Sequence, residues 1–500
     1  MLASFTGYSV DSSESSMFLS SDDSCEPLRI LCYYDIFDES GCLRNVPEGY
    51  VRDDSVLGPC LIFNGVRDGF WHGSCLVIVP ASMPTQPTFT ILNDQEHEVT
   101  MQFIGAYRLS NFYRFGIKIR VDKVNPITIQ YTINDSYPIY NFRVQSTASM
   151  FRWTFWSCNG WSLSVTKNQK QKLGGTNRLW KELMRQHEEN PFHCMVGGGD
   201  QLYTDLFWSM DIWKPWLKSK SRKEYQNAPF TPEMEQTLDE FFFTHYVNCF
   251  FFQTKLGEAM AYIPSAFIVD DHDIFDGWGS YPNHLHNSNV FQGIKRIAFK
   301  YWLLFQAHSN EKLAPEHGYF GKEGYSWIKE FGPRVLALGL DTRYERTLSN
   351  IVSEETYNMA FGKLSELLRG AKGQYHHLIV FLGGPIVYPR LTFIERTLRA
   401  VQALKVHKSC LCSKAGPFKT FNNQFREPEL LDDLEDHWTA RPHLEERRRF
   451  VQRLQELAEW FGVRVTFVSG DVHCCGFGRF DDAHRSRQQN AEGNHRLMYQ

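Results

Sequence analysis

The chain has 500 residues, of which 42% are hydrophobic and 22% are charged. This length allows about three domains of roughly 150 residues and a core that needs no disulfide bonds, and the composition excludes a disordered chain. The 53 basic residues nearly balance the 57 acidic ones, and the formal net charge of −4 excludes an overall positive field that would attract nucleic acid or an anionic membrane.

The sequence contains no pattern typical of export or membrane insertion. Its apolar runs are shorter than the roughly 18 to 20 residues of a membrane-spanning helix. Residues 1–25 contain nine Ser and no Lys or Arg, so they lack the basic start of a secretory signal. The 12 Cys are too few for a disulfide scaffold in a chain of this length. We therefore expect reduced thiols, a cytoplasmic location and no transmembrane segment.

The N-terminal third is predicted to be a short tail followed by β structure. Ser and Asp dominate residues 1–25, which predicts a disordered tail. From residue 28 to about residue 144, short alternating or apolar runs recur between turn residues, and no long helical period intervenes. Strands of this length and spacing are typical of an antiparallel β-sandwich. We place this domain at residues 26–148.

Beyond residue 149 the predicted elements alternate between strand and helix. The predicted strands begin near residues 151, 193, 264, 333, 376 and 463. The predicted helices are residues 175–188, 231–261, 354–369 and 444–461. Such alternation predicts an α/β domain over residues 149–500. The pattern shows no terminal strand after residue 471.

Five of the six predicted strands end in a Cys, an acid, a His or an Arg. These residues include Cys158, Asp200, Asp270, Asp271, His272, Asp273, Arg343, Asp471 and His473. An isolated Asp at a strand end is usually a cap or turn residue. Several acids at one edge of a sheet repel one another unless a cation neutralises them, so the cluster predicts a metal site. Thiolate, imidazole and phenolate suit a transition metal such as iron, and oxygen-only positions suit calcium, magnesium or manganese.

The order of these motifs resembles that of a known enzyme family. The segments SCN (157–159), GGGDQLY (197–203), DDHD (270–273), LDTR (340–343) and SGDVH (469–473) resemble those of the PhoD-like (alkaline phosphatase D) family of calcineurin-like metallophosphoesterases. IVDDHDIFDGWGSYP, LGGPIVYPR and DLEDHW look like a fungal-type branch of that family. The resemblance spans residues 150–480. It implies an α/β calcineurin-like fold, a two-sheet β core flanked by helices, preceded by an immunoglobulin-like β-sandwich.

The resemblance also implies roles for individual residues. The metal ligands would be Cys158, Asp200, Tyr203, Asp270, Asp271, Asp471 and His473. Asp200 would bridge two metals, with iron and calcium as the expected pair and manganese, magnesium or zinc as alternatives. His272, oriented by Asp270 or Asp273, would protonate the leaving group. Arg343 would clamp the phosphate, since a guanidinium holds two phosphate oxygens at once.

The implied activity is hydrolysis of a phosphoester by a metal-activated water. Weaker candidates for the substrate pocket are Trp278, Tyr281, Arg390, Asp436 and Trp438. Trp278 and Tyr281 suit packing equally well, and the acidic run that contains Asp436 is also typical of a solvated surface.

A binding protein without strong catalysis is the alternative interpretation. Its β-sandwich would engage a lipid, a glycan or a protein, and the metal fold would be a scaffold. The chain ends 27 residues after His473, where such a sheet would be expected to continue. This predicts a truncated C-terminal part and favours the alternative, whereas the retained Asp200, Asp271, His272 and Asp471 favour the enzyme.

Overall fold

The computed structural model describes residues 56–161, 165–219, 221–252, 255–371, 373–388, 424–425, 436–480 and 498–499. The predicted tail at residues 1–25, the first predicted strand near residue 28 and the pocket candidate Arg390 lie outside the described residues. In the described part, no helix combines the length and hydrophobicity needed to cross a membrane.

The described residues contain both strands and helices in numbers that make the fold a mixed α/β one. The strands are β1 (Leu57–Arg67), β2 (Phe70–Pro80), β3 (Phe89–Ile91), β4 (His97–Tyr107), β5 (Ser110–Arg120), β6 (Ile127–Ile133), β7 (Ser136–Val144), β8 (Trp153–Trp156), β9 (Cys194–Gly198), β10 (Ser265–Ile268), β11 (Tyr319–Phe320), β12 (Ser326–Glu330), β13 (Val335–Gly339), β14 (His377–Leu382), β15 (Arg464–Ser469), β16 (Arg479–Phe480) and β17 (Met498–Tyr499). The α-helices are α1 (Lys167–Lys172), α2 (Arg178–Glu189), α3 (Lys214–Leu217), α4 (Arg222–Asn227), α5 (Pro232–Val247), α6 (Leu256–Tyr262), α7 (Asn283–His286), α8 (Asn289–Gln306), α9 (Glu354–Gly370) and α10 (Leu444–Phe461).

Two-residue turns join neighbouring N-terminal strands. Arg67 pairs with Phe70, so Asp68 and Gly69 form the loop, and their φ angles are 54° and 76°. Asp-Gly suits this left-handed backbone because Gly carries no Cβ and Asp tolerates positive φ. The antiparallel pairing of β1 with β2 follows directly from this local chemistry.

The first sheet crosses the predicted boundary between the two domains. Its strand order is β4-β5-β2-β1-β10-β9-β8, and the parallel pairing of β1 with β10 joins Ile62 to Ser265. A second, three-stranded sheet, β3-β6-β7, packs against it, with the rings of Trp71 and Phe142 4.9 Å apart. The immunoglobulin-like sandwich and its boundary at residue 148 stay predictions, and the sequence pattern does not predict the shared sheet.

The remaining sheet carries the later strands. Its order is β11-β12-β13-β14-β15-β17-β16. Strands β13, β14 and β15 run parallel to one another, and they correspond to the strands predicted near residues 333, 376 and 463. Tyr499 pairs with Thr466 of β15, so the prediction of no further strand after residue 471 is wrong. Whether the C-terminal part is truncated stays a prediction.

The two large sheets pack face to face. The indole Nε1 of Trp327 on β12 donates to the carbonyl of Phe267 on β10 at 2.7 Å, and the rings of Phe155 and Phe381 stack across the interface 6.1 Å apart. Helices cover the outer parts, as α8 does where Phe305 meets Phe112 at 5.3 Å. This packing brings the carboxyl ends of β8, β9, β10, β13 and β15 to one edge of the molecule.

One predicted helix is interrupted, and one long helix is not predicted. The helix expected over residues 231–261 is two helices, α5 and α6, with a π-helical turn at Asn248–Phe252. A Cβ on Gly257 would overlap the carbonyl oxygen of Phe250, so α6 folds back tightly onto this turn. Helix α8 begins after the N-cap Ser288, whose side chain accepts from the amide of Phe291.

Candidate metal centre

The strand ends bring the predicted ligands together. The Cys158 thiol lies 3.6 Å from the Asp200 carboxylate and 3.7 Å from the carbonyl oxygen of Asp471. The hydroxyl of Tyr203 lies 2.8 Å from Nε2 of His473. These residues come from the ends of β8, β9 and β15, which are distant in sequence.

Of three groups in the described part of the chain that have the spacing of a metal site, two share Asp200. Cys158, Asp200 and His473 form one, and Asp200, Asp270 and Asp271 form the other, with the ligand atoms of each group within 4.8 Å of one another. Asp200 belongs to both groups, which is the arrangement that a bridging carboxylate requires. A third group, Asp271, His272 and Asp276, has the same spacing at the more exposed side.

The backbone is strained at four of the candidate ligands. Cys158, Asp200, Asp471 and His473 have φ angles of 56°, 54°, 80° and 52°. Residues other than Gly rarely adopt this conformation, which costs about 1–3 kcal/mol per residue. Strain of this kind concentrates at functional sites, and here it turns the four side chains toward the same volume.

Buried carboxylate oxygens in the cluster have no hydrogen-bond partner among the described residues. They are Oδ1 of Asp200, Oδ2 of Asp270 and Oδ2 of Asp471. Burial, followed by the charges of Asp270 and Asp271, raises the pKa of Asp200 and Asp471 well above their usual range. Burial raises the pKa of Asp270 to about 6, although Arg343 opposes the shift. Bound cations would satisfy these oxygens and allow the carboxylates to ionise, so the residues fit a metal centre.

The thiol of Cys158 and the phenol of Tyr203 also need a bound cation to lose their protons. Burial raises the pKa of the Cys158 thiol, and Asp270 and Asp471 add to the shift. Burial, with Asp200 as the next cause, raises the pKa of the Tyr203 phenol well above its usual range. A metal must therefore displace a proton from each of them when it binds.

His272 is held by a residue that the sequence analysis does not identify. Its Nδ1 lies 2.5 Å from Oδ2 of Asp205, whereas the predicted partners were Asp270 and Asp273. Burial alone would lower the pKa of His272, but Asp205 and Asp271 outweigh it and raise this pKa well above its usual range. The direction of this shift favours the protonated ring. Asp205 lies five residues after Asp200, and this proximity to the motif is the only signal in the sequence that could have identified it.

Asp273 orders the backbone of the site. Its carboxylate accepts from the amides of Asp200, Leu202 and Asp270 at 3.1, 3.2 and 3.0 Å. It therefore fixes the loops after β9 and β10 against each other. This is a positioning role, and it differs from the predicted role in catalysis.

Arg343 is enclosed in acidic partners. Its side chain is 1% exposed. Nε donates to Asp270, the two terminal nitrogens form a bidentate pair with Asp436 at 2.7 and 2.8 Å, and further bonds reach Trp278 O and Asp271. A guanidinium has five N–H donors, and all five are occupied. In this arrangement Arg343 holds the carboxylates of the site in place, and its role as phosphate clamp stays a prediction.

Four of the five predicted pocket residues are buried in the core, and the fifth, Arg390, lies outside the described residues. Trp278 is fully buried and donates through Nε1 to the carbonyl of Arg343. Tyr281 is buried and donates to the carbonyl of Asp276, and Trp438 stacks on Phe450 in the core beneath α10. Asp436 is buried against Arg343. None of these four forms an exposed pocket rim.

His437 is a further candidate ligand. Its Nδ1 is buried without a hydrogen-bond partner in the described part of the chain and lies 3.9 Å from Oδ2 of Asp471. Burial lowers its pKa, so the ring is neutral and offers a nitrogen lone pair. It lies in the DLEDHW stretch that contributes to the family resemblance, so that stretch could have identified it.

Comparison with known proteins gives one family and one relative. Residues 122–411 and 404–500 match a family described as PhoD related phosphatase. The chain is 33% identical over 406 residues to the uncharacterized protein YGR266W of Saccharomyces cerevisiae, and the match covers 74% of this chain and 56% of that protein. The chain thus spans little more than half the length of this relative. No solved structure matches the chain.

Proposed function

Because this chain belongs to the PhoD related phosphatases, we propose that it hydrolyses phosphoesters with metal ions held at the strand ends, within a calcineurin-like metallophosphoesterase fold. The observation that carries the proposal is the set of buried oxygens of Asp200, Asp270 and Asp471 that have no hydrogen-bond partner in the described part of the chain. Such oxygens are costly in a folded protein unless they have a cation to bind.

The donor set suggests which metal each side of the centre would hold. Cys158, Tyr203 and His473 offer sulfur, phenolate and nitrogen ligands, which suit iron or zinc. Asp270 and Asp271 offer only oxygen, which suits calcium, magnesium or manganese. Asp200 would serve both sides. When bound, such metals polarise phosphoryl oxygens and lower the pKa of a bound water.

His272 is the proposed general acid. Its raised pKa favours a proton on the ring, and Asp205 fixes the ring through Nδ1. Nε2 then carries the proton on the side away from Asp205, available to a leaving alkoxide. Asp273 and Arg343 support the reaction indirectly, since they hold the loops and carboxylates of the centre.

Metal content and turnover of the full-length chain test this proposal. We expect bound metal and hydrolysis of a phosphomonoester or a phosphodiester. Asp200→Asn should lose most of the metal and reduce turnover by at least about 100-fold. The matched control is Asp211→Asn, which changes an exposed acid paired with Lys214 nearby on the surface.

Two outcomes would contradict the proposal. A chain that neither contains metal nor takes it up would exclude the metal centre. A chain that binds metal but cleaves neither ester would support the alternative of a binding or scaffold protein. The expected lack of a strand after β15 no longer favours that alternative, since β16 and β17 extend the sheet.

A further inference from the structure

A cavity lined by basic side chains lies apart from the strand ends. It has a volume of 310 Å³ and lies between one face of the first sheet and β12. Its lining includes His72, Arg114, Lys118, His317 and Lys329, and none of the candidate metal ligands. We call it the basic cavity. Its size suits a small phosphorylated molecule, at the lower end of the range of small-molecule sites.

Lys329 is buried in this cavity with neutral partners. The residue is 5% exposed. Nζ donates to the carbonyl of Phe63 at 2.5 Å and to Oδ1 of Asn64 at 3.2 Å, and it lies 5.0 Å from the ring centre of Trp327. Among the residues described by the structure, no carboxylate forms an ion pair with it. A buried amine without a counter-charge gives up its proton more readily, and an anion bound beside it would restore the charged form.

Arg114 is a second cation in the same situation. Its Nε is buried and has no hydrogen-bond partner, and no described acid pairs with its guanidinium. The side chain lies across Gly116, where a Cβ would come within 2.7 Å of Nη1. Burial lowers the pKa of this guanidinium to about 10. Arg114 is therefore a half-buried cation whose side chain lines the basic cavity.

The pKa values of Lys329 and His317 are both lowered, which is the direction that nearby positive charge causes. Burial lowers the pKa of Lys329 to about 7, and Arg67 and Arg114 contribute to this shift although Cys194 opposes it. Burial, then Arg114, lowers the pKa of His317 to about 4. Two acids also line the cavity: Glu98 is exposed and lies 3.5 Å from Lys118, and Glu316 is exposed.

We propose that the basic cavity binds a phosphate group, presented either as inorganic phosphate or as the phosphate monoester of a small molecule. Apart from the exposed Arg67, and with Lys118 paired to Glu98, the lining cations without an acidic partner among the described residues are the half-buried Arg114 and the buried Lys329. A phosphate carries about −1.5 to −2 charges near pH 7, enough for both cations, whereas a carboxylate supplies one. The planar guanidinium fits two phosphate oxygens, and the lysine adds a point charge.

This site is independent of the proposed hydrolysis, because it shares no residue with the metal centre. Its ligand is retained by charge and shape, and no step of bond cleavage is assigned to it. A phosphate bound here would join β2 and β5 of the first sheet to β12 of the second. It would therefore stabilise the interface between the two sheets.

Calorimetric titration of the full-length chain with a chelator present tests the proposal, because the proposed metal centre then neither binds phosphate nor hydrolyses the ester, and the thermal unfolding below uses the same buffer. Inorganic phosphate and glycerol 3-phosphate are the two probes, and acetate is the monoanion control. We expect phosphate binding that Arg114→Gln and Lys329→Met each weaken at least tenfold. Arg120→Gln, on the same strand but outside the cavity lining, should leave the affinity unchanged. Tighter binding of glycerol 3-phosphate than of inorganic phosphate would identify a monoester as the ligand, and the reverse order would identify free phosphate.

Thermal unfolding without phosphate distinguishes an arginine that binds phosphate from one that only stabilises the fold. Arg114→Gln removes one of two buried cations that repel each other, so its Tm without phosphate should equal or exceed that of the wild type. Added phosphate should then raise the Tm of the wild type but not of the variant. The proposal is overturned if phosphate fails to bind the wild type, if Arg114→Gln binds it as tightly, or if Arg114→Gln lowers the phosphate-free Tm.

Discussion

Asp205 controls the protonation of His272 in the proposed mechanism. Its carboxylate contacts Nδ1 directly and is the main charge that raises the pKa of the ring. Asp205→Asn should lower this pKa. Because a general acid loses activity as pH rises through its pKa, the basic limb of the kcat/KM profile should move to lower pH.

The effect of Asp205→Asn should depend on the leaving group. Esters with alkoxide leaving groups should slow by about 10- to 100-fold at pH 8, since general acid catalysis contributes about 10²–10⁴. Nitrophenyl esters hardly need a proton and serve as the internal control, and His272→Ala should show the same selectivity. An equal loss with both esters would assign His272 a structural or ligand role.

Arg343 is predicted to act on stability more than on substrate binding. Arg343→Met removes the guanidinium that contacts Asp270 and Asp271 and leaves Asp436 with Arg346 as its remaining partner at 3.3 Å, which should lower the free energy of unfolding by about 3–5 kcal/mol. Urea denaturation of the metal-loaded protein measures this loss. A raised KM with unchanged stability would instead support the role as phosphate clamp.

At the scale of single elements, one glycine marks where the predicted helix divides. Gly257→Ala places a Cβ against the carbonyl of Phe250, and such overpacking costs about 1–3 kcal/mol. Gly362, in the helix α9, has nothing within 4 Å of the same position. Gly362→Ala should therefore stabilise the protein by about 0.5–1 kcal/mol. Chemical denaturation of both variants checks that the two changes in the free energy of unfolding have opposite signs. If Gly257→Ala does not lower this free energy, the turn relaxes to accommodate the added Cβ.

Local chemistry decides which elements could be predicted from the sequence. Helix α10 matches its prediction from end to end, because an apolar stripe repeats along it and Gly462 ends it with a φ of 67°. Strand β7 lies inside the predicted β region, but Pro138 interrupts its short run of mixed polarity, so its bounds do not follow from the sequence. Helix α8 is missed because most of its residues are buried, which hides the amphipathic period.

The site was predictable where it is built from strand ends and not where it depends on distant partners. Cys158, Asp200 and Asp471 follow apolar runs, and the structure brings them together. The pairing of Arg343 with Asp436 joins segments far apart in the sequence. No local pattern encodes such a contact, so the arginine was assigned to the substrate although its donors are all occupied.

At the scale of the whole molecule, the buried acids of the metal centre should make the stability of the metal-free protein depend on pH. Bound metal should remove this dependence. In the metal-free protein, the raised pKa values of Asp270 and Asp273, about 6 and about 7, lie above those of the unfolded chain. Stability that is present below about pH 4 is then lost as pH rises through these values. We expect the drop in Tm on adding a chelator to be larger at pH 7.5 than at pH 5.

Asp200→Asn provides the control for this prediction. The variant lacks one of the repelling carboxylates, so in the presence of chelator it should be at least as stable as the wild type at pH 7.5. Thermal unfolding of both proteins with and without chelator measures the difference. A chelator effect that is the same at pH 5 and pH 7.5 would show that the acids do not govern stability.

The parallel pairing of β1 with β10 has a consequence for how the chain folds. During synthesis, β1 and β2 leave the ribosome long before β10 exists, so the β1 edge of the early hairpin has no partner. Contacts that close such long loops raise the contact order and slow folding, and an unpaired strand edge is prone to intermolecular association. We therefore expect the first sheet to be completed late in folding. The N-terminal strands and the strands that carry the metal ligands would then fold together.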